Sequence, residues 1–333
     1  MVQKNKPFYG IIVCLLLAIP AWIAGKQFPI IGGPVFGILL GMLFAPYIAP
    51  QMMDGVRFTS KKILQLSIIL LGFEMNMSHI FKVGGQSLQV MLFTLTASFF
   101  VAYAVGKMLR INHNTTILIG VGTSICGGSA IAATAPTIGA NDDEVAHAIS
   151  TIFLFNVLAV FIFPPIGKLL GLSDLGFGMW AGTAINDTSS VVAAASAWSN
   201  AVGNDAALNY ATVVKLTRTL MIVPITLVLS FITVYKNKQS NHNFSFVKVF
   251  PWFIIGFLIA AIINSTGLLP KEASHFLGQS GKFFIIMAMV AIGLNTHLKK
   301  LIANGVKPIL LGLACWFAVA FVSILVQKSM QLL

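Results

Sequence analysis

Long apolar runs separated by short polar loops divide almost the whole chain. Nine of them approach or exceed the roughly 20 residues that an α-helix needs to cross a hydrocarbon core of about 30 Å. They lie at approximately residues 8–25, 31–50, 63–81, 88–106, 147–170, 208–234, 249–268, 282–298 and 308–327. The pattern predicts an all-α polytopic membrane protein.

Two further segments, 117–140 and 178–202, have a different composition. They are rich in Gly, Ala, Ser and Thr and poor in Leu and Phe. Backbone that departs from a helix is tolerated at membrane depth only where protein or a cavity covers it. We therefore predict about nine to eleven transmembrane segments, with 117–140 and 178–202 discontinuous or re-entrant.

The composition excludes a soluble domain. Of 333 residues, 57% are hydrophobic and 9% are charged, whereas a soluble domain has about 25% charged residues. No polar stretch is long enough to form a separate domain. We therefore expect residues 1–333 to form a single transmembrane domain whose main surroundings are the lipid bilayer.

The net charge of +12 does not indicate a nucleic-acid partner, because the basic residues lie mainly in short loops. Basic residues collect in cytoplasmic loops of membrane proteins. With a cytoplasmic N-terminus, the inside holds Lys4, Lys6, Arg57, Lys61, Lys62, Lys107, Arg110, Lys236, Lys238, Lys248, Lys299, Lys300 and Lys307. The outside then holds Lys26, Lys82, Lys271, Lys282 and Lys328. This bias predicts a multi-pass protein of the bacterial inner membrane.

Two alignments of the chain with itself indicate an internal repeat. A displacement of 221 positions pairs Lys61 with Lys282, Gly72 with Gly293 and Gly84 with Gly305. The other pairs residues 122–129 with 182–189. We predict a first repeat at about 31–170 and a second, inverted repeat at about 178–328. Inverted repeats with discontinuous helices near the bilayer midplane are typical of secondary transporters.

A run of small residues within 117–140 is the first candidate binding site. Its members are Thr123, Ser124, Cys126, Gly127, Gly128 and Ser129. The two glycines interrupt the helix, and Ser129 is placed to cap the helix that follows. The free N–H groups and partial positive charge of a helix N-terminus attract anions. The alternative is a small-residue face for close helix packing.

A polar run within 178–202 is the second candidate, and it contributes Asn186, Thr188 and Ser189 to the predicted substrate site. Asp187 is a good N-cap for a helix that starts here. A carboxylate at this depth costs at least about 2.5 kcal/mol unless it is paired or hydrated. Asp187 is therefore a candidate for coupling to a proton or Na⁺. Asn156 is a second candidate, because it lies close to the position that aligns with Arg218 in the second copy. The alternative is that Asp187 only caps a helix or neutralises a nearby base.

Lys215 and Arg218 are the third candidate. Their spacing places both on one helical face, and neither is close enough to a helix end to extend easily to the membrane surface. Arg offers a planar fork that matches an oxyanion. We predict that both residues contact an anionic substrate. A structural pairing with Asp187 is the alternative.

No pattern for a cofactor, a metal ion or a catalytic reaction is evident. Cys14, Cys126 and Cys315 are far apart in the sequence. No zinc-ligand spacing, phosphate-binding loop or nucleophile–base pair is apparent. We therefore expect neither a metal nor a cofactor, and no enzymatic activity.

Three runs together resemble a known family: GVGTSICGGSAIAA at 120–133, AGTAINDTSSVVAA at 181–194 and VVKLTR at 213–218. They are similar to the YeiH-like membrane proteins, also called the sulfate exporter family, and the resemblance covers nearly the whole chain. It implies a fold of the cation:proton antiporter type, with crossing broken helices, an elevator-type core domain, a scaffold domain and often a homodimer. The substrate it implies is sulfate, sulfite or a small sulfonate.

The residues and the resemblance together predict a secondary active transporter that exports a small anion, coupled to H⁺ or Na⁺. Two alternatives stay open. The first is a Na⁺/H⁺ antiporter-like cation exchanger, with Asp187 as the ion site and Lys215 as its titrating partner. The second is a membrane sensor or scaffold that binds a ligand without transporting it.

Overall fold

A computed structural model describes residues 6–28, 32–222, 224–226, 228–229, 252–296 and 305–332. The regular secondary structure among these residues is helical, and turns and loops join the helices. The α-helices are α1 (Lys6–Gln27), α2 (Gly33–Phe44), α3 (Met53–Phe58), α4 (Leu64–Gly72), α5 (Met77–Met108), α6 (His113–Ser124), α7 (Gly128–Ile138), α8 (Asp142–Leu169), α9 (Asp174–Ala184), α10 (Thr188–Val202), α11 (Ala206–Leu220), α12 (Phe253–Ser265), α13 (Lys271–Asn295) and α14 (Val306–Ser329). The prediction of an all-α polytopic membrane protein is confirmed.

The described helices follow the predicted apolar runs. Five of them are long and apolar enough to cross a membrane, namely α1, α5, α8, α13 and α14. A π-helical stretch, Thr59–Ile63, joins α3 to α4 without leaving helical geometry. The predicted run at 63–81 is wrong as a single helix, because α4 ends at Gly72 and α5 already begins at Met77, before the predicted run at 88–106. The predicted runs at 208–234, 249–268 and 282–298 extend beyond the described residues.

Both ambiguous segments are broken, as predicted. The first consists of α6 and α7, separated at residues 125–127, and the second of α9 and α10, separated at 185–187. Each half-helix has between 11 and 15 residues. A helix of 12 residues is about 18 Å long, which is little more than half of a hydrocarbon core.

Contacts between their ends show that each broken segment is a helical hairpin. The Asn114 amide near the start of α6 donates to Glu144 Oε2 at 3.0 Å, just beyond the end of α7. Asp174 at the start of α9 accepts from Trp198 Nε1 and Asn204 Nδ2, both at 2.8 Å, at the end of α10. Both segments therefore re-enter, and we call them hairpin 1 (α6–α7) and hairpin 2 (α9–α10).

The single helix α8 connects the two hairpins. It has 28 residues, a length of about 42 Å that is sufficient to span a bilayer. Hairpin 1 therefore enters from the face where α6 begins, and hairpin 2 enters from the opposite face, where α9 begins. We refer to these as the α6 face and the α9 face.

The helices pack in two groups. In one, α13 packs against α1, α2 and α4, and α12 packs against α4. In the other, α5, α8, α11 and α14 pack around the two hairpins. Glycines permit the closest contact of the first group, because a Cβ on Gly41 would lie 2.9 Å from Gly293 Cα. Small apolar residues of α10, including Ala193 and Ala194, join a core cluster with residues of α2 and α13.

Candidate functional site

The tips of the two hairpins meet beside α11. Lys215 and Arg218 project from α11 into the junction, and neither is exposed. These are the two cations that the sequence placed on one helical face. Their common location in the interior follows from the spacing of three residues.

All three donors of the Lys215 ammonium bind backbone oxygens. Nζ donates to the carbonyls of Ile125 at 2.7 Å and Ile185 at 3.1 Å, and also to the carbonyl of Asn186. Ile125 belongs to the tip of hairpin 1, whereas Ile185 and Asn186 belong to the tip of hairpin 2. Lys215 therefore holds the two tips together.

Arg218 binds the same two tips. Its Nε donates to the Ser124 carbonyl at 2.7 Å, and one terminal nitrogen donates to the Ile185 carbonyl at 3.1 Å. The other terminal nitrogen donates to the Thr123 carbonyl. The guanidinium thus occupies a position at the carbonyl end of α6.

These contacts give the two cations a clear electrostatic role. The last carbonyls of a helix have no partner within it and carry a partial negative charge. Lys215 and Arg218 supply both the missing hydrogen bonds and the opposite charge where α6 and α9 end in the interior. Their predicted contact with a substrate stays a prediction, because the hydrogen bonds described here go to the backbone.

The amino ends of α7 and α10 form the other side of the junction. Asp187 caps α10, since its Oδ2 accepts from the Ser189 N–H at 3.0 Å and from the Ser189 hydroxyl. The Asp187 N–H in turn donates to Asn156 Oδ1 at 3.1 Å. A Cβ on Gly127 would lie 3.6 Å from the Asp187 Cβ and 3.5 Å from the Asn156 amide nitrogen. The predicted coupling residues therefore lie together, beside the start of α7.

The start of α7 is open. Gly127, the residue before it, has a φ of +69° that favours glycine. A Cβ on Gly128 would meet no atom within 4 Å, and Ser129 is exposed. No side chain of a described residue caps this helix. The amino end of α7 is therefore accessible and has no side-chain cap among the described residues.

The prediction that Ser129 caps α7 is wrong. Because α7 begins at Gly128, Ser129 is already inside the first turn. Its hydroxyl turns back and donates to the carbonyl and the Sγ of Cys126, at 3.1 and 2.9 Å. A side chain in this position cannot reach the N–H groups that an N-cap serves.

Unsatisfied polar groups remain at the junction. Asn186 is 1% exposed, and both atoms of its amide lack a hydrogen-bond partner among the described residues. The same holds for the fully buried hydroxyl of Thr123. Buried polar groups are rarely left unpaired in folded proteins, so the junction has hydrogen-bonding capacity left for a ligand or water. Thr188 and Ser189 are also buried there.

A second charged cluster lies at the α9 face. Lys282 of α13 donates to Asp205 at 2.6 Å and lies 3.3 Å from a Glu74 oxygen. His275 Nδ1 lies 3.4 Å from the other Glu74 oxygen. An open cavity of about 360 Å³ adjoins this cluster. The sequence gives no signal that joins these residues, because they are separated by up to 208 positions along the chain (from 74 to 282).

The fold and this junction define a class: a polytopic α-helical membrane protein with two re-entrant hairpins that meet at a buried basic pair. The chain belongs to the family described as conserved hypothetical protein 698, whose model matches residues 9–312. Its relatives carry the name UPF0324 membrane protein. One from Fusobacterium nucleatum is 51% identical, covering 97% of this chain and 98% of the relative. Others come from Streptococcus pyogenes, 53% identical with 96% of each chain covered, and Streptococcus mutans, 47% identical with 98% of each covered.

Proposed function

We propose that this protein is a secondary transporter that moves a small anion across the bacterial inner membrane. The amino end of α7, which has no side-chain cap and lies beside Asp187 and Asn156 where the hairpin tips meet, carries the proposal. The sulfate, sulfite or sulfonate substrate and the export direction come from the sequence resemblance alone. The cytoplasmic N-terminus is proposed from the distribution of basic residues, which puts the α6 face in the cytoplasm.

The proposed anion seat is formed by the first N–H groups of α7, at Gly128 and Ser129. Ser129 and Thr188 lie in the first turns of α7 and α10, so their hydroxyls are near enough to the two amino ends to bind the anion as well. Backbone N–H groups at a helix start bind oxyanions well. Lys215 and Arg218 contribute fixed positive charge from behind the tips, and in a low-dielectric interior such charge acts over several ångströms.

Coupling is proposed to act through Asp187. Its carboxylate caps the amino end of α10, beside the start of α7 where the anion would bind, so the two negative charges oppose each other at short distance. A proton or Na⁺ on Asp187 removes that opposition and favours anion binding. This arrangement gives a physical reason for moving the anion and the cation in one cycle.

A matched pair of substitutions tests the seat. An added side chain at Gly128 has room, and its backbone conformation does not require glycine. In proteoliposomes, Gly128→Asp should reduce anion flux at least tenfold, because one added charge in a buried seat costs well over 1.4 kcal/mol. Gly128→Asn, with the same shape and no charge, should keep most of the flux. Wild-type flux in Gly128→Asp would overturn the proposed seat.

One observation favours a second candidate, a cation exchanger. Asp187 is partly buried at the meeting point of the hairpins, where its backbone N–H donates to Asn156 Oδ1 and its carboxylate accepts from Ser189. In that case, a pH gradient would drive Na⁺ flux without any anion, and Asp187→Asn would abolish it. Ligand binding without any flux would instead indicate a sensor. The homodimer stays a prediction.

A further inference from the structure

The formal charges at the hairpin junction do not balance. Among the described residues, the junction contains Lys215 and Arg218 with one positive charge each and Asp187 with one negative charge. Three carbonyl oxygens surround the Lys215 Nζ, an arrangement that favours the ammonium form because a neutral amine has only two N–H groups to donate; the charge count takes Lys215 in that form. One positive charge is left over.

The helix ends do not remove this surplus. The carbonyl ends of α6 and α9 each carry roughly half a negative charge, and the amino ends of α7 and α10 each carry roughly half a positive charge. These four contributions cancel. The charged cluster of Glu74, Asp205 and Lys282 has a surplus of one negative charge, but it lies at the α9 face, where the Asp205 side chain is 44% exposed, and not at the junction. It therefore does not supply the missing negative charge.

An uncompensated charge in a membrane interior is costly. The amide of Asn186 and the hydroxyl of Thr123 are buried and unpartnered at the same junction, so polar groups are available to a ligand. We infer that the species carried by this protein has a net charge of minus one: a monovalent anion such as a sulfonate or hydrogen sulfite, rather than a bare divalent anion. This inference rests on the proposed function.

The surplus of one positive charge also sets a condition for the transport of a divalent anion. It would have to enter with one proton, and Asp187 is the carboxylate that can take it. The titratable groups that face Asp187 are Cys126, from the tip of hairpin 1, and Lys215, from α11. Arg218 adds a fixed charge from the same helix. At alkaline pH, where proton uptake is disfavoured, the divalent anion should bind poorly.

The test compares methanesulfonate with sulfate, which have similar shapes and different charges. Purified protein is heated with each salt at equal ionic strength and mildly alkaline pH, since a ligand of the folded state raises its stability. Methanesulfonate should raise the midpoint of thermal unfolding at a concentration at least roughly tenfold lower than sulfate requires for the same rise. Asp187→Asn leaves two surplus positive charges and should reverse this preference, and Asn still caps α10.

One further variant serves as the control. Asp205→Asn makes the same chemical change at the α9 face, outside the junction, and should keep the wild-type preference. A changed preference in this control would overturn the inference.

A second measurement does not depend on any variant. A loaded junction with no net charge crosses the membrane without moving charge, so methanesulfonate self-exchange in proteoliposomes should not respond to an imposed membrane potential. Potential-dependent exchange, or a wild-type preference for sulfate, would overturn the inference while the proposed transport of an anion stands. If no anion stabilises the protein or is transported, the proposed function itself fails.

Discussion

At the scale of single residues, the most informative feature is that two buried cations bind backbone rather than side-chain carboxylates. Arg218 spans the carbonyls of Thr123, Ser124 and Ile185 with one planar group. A buried helix end without partners is strongly unfavourable. The basic pair is therefore a structural requirement for ending two helices in the interior, whatever else it does.

This requirement predicts the effect of removing Arg218. Arg218→Met leaves the carbonyl end of α6 without its donors and should reduce the free energy of unfolding by about 3–5 kcal/mol. Arg218→Lys keeps the positive charge but loses the planar guanidinium, so its free energy of unfolding should fall by less than that of Arg218→Met. The midpoint of thermal unfolding in detergent measures both effects.

Arg57→Met is the control for this prediction. The Arg57 side chain is 67% exposed, and its contact with Asp54 is 3.8 Å long. Its removal should change stability by less than about 0.5 kcal/mol. Equal midpoints for Arg218→Met and Arg57→Met would contradict the structural role of Arg218.

At the scale of elements, the Lys282 cluster joins parts that are far apart in the sequence. Lys282 lies within α13, Glu74 follows α4, and Asp205 precedes α11 next to hairpin 2. A Cβ on Gly278 would overlap the Glu74 carboxylate, so the absence of a side chain at this position lets Glu74 pack against α13. The cluster therefore fastens the end of hairpin 2 to the helices around α13.

We expect Lys282→Met to destabilise the protein, because it leaves two carboxylates facing each other. Lys282 is 17% exposed and Asp205 is 44% exposed, so solvent screening limits the effect to roughly 1 kcal/mol. Asp205→Asn in the same chain should recover part of the loss, and the coupling between the two changes can be read from a double-mutant cycle. Strictly additive effects would show that the ion pair contributes nothing. The exposed Lys271 provides the matched control, Lys271→Met.

At the scale of the whole molecule, the hairpins determine which loops share a side of the membrane. Cysteine substitutions at the exposed positions His113 and Asn141 should react with an impermeant maleimide from one side, and those at Lys168 and Val202 from the other. These substitutions are made in a variant in which the three buried native cysteines have been replaced. Labelling of His113→Cys and Asn141→Cys from opposite sides would mean that the first segment crosses the membrane and does not re-enter.

The aligned regions of the predicted repeat lie differently relative to the two hairpins. Hairpin 1 follows the aligned Lys61-to-Gly84 region, which runs from the π-helical stretch through α4 into α5, whereas hairpin 2 precedes α13 and α14. The two halves thus contain similar elements in a different order along the chain. The inverted repeat itself stays a prediction.

The sequence by itself determined the membrane class, the approximate positions of most helices and the two breaks. Each of these depends on local composition: apolar length for a crossing, and small or polar residues for an interruption. The run around Asp187 also identified a helix start correctly, because capping is a contact between neighbours in the chain.

Only the tertiary structure decided that both broken segments turn back, and that Lys215 and Arg218 bind the carbonyl ends of α6 and α9. The first depends on Asn114 meeting Glu144 and on Asp174 meeting Asn204. The second depends on donors and carbonyls about 30 to 95 positions apart. Contacts over such separations arise from packing, because every carbonyl in the chain is chemically the same until the fold decides which of them lie in the interior.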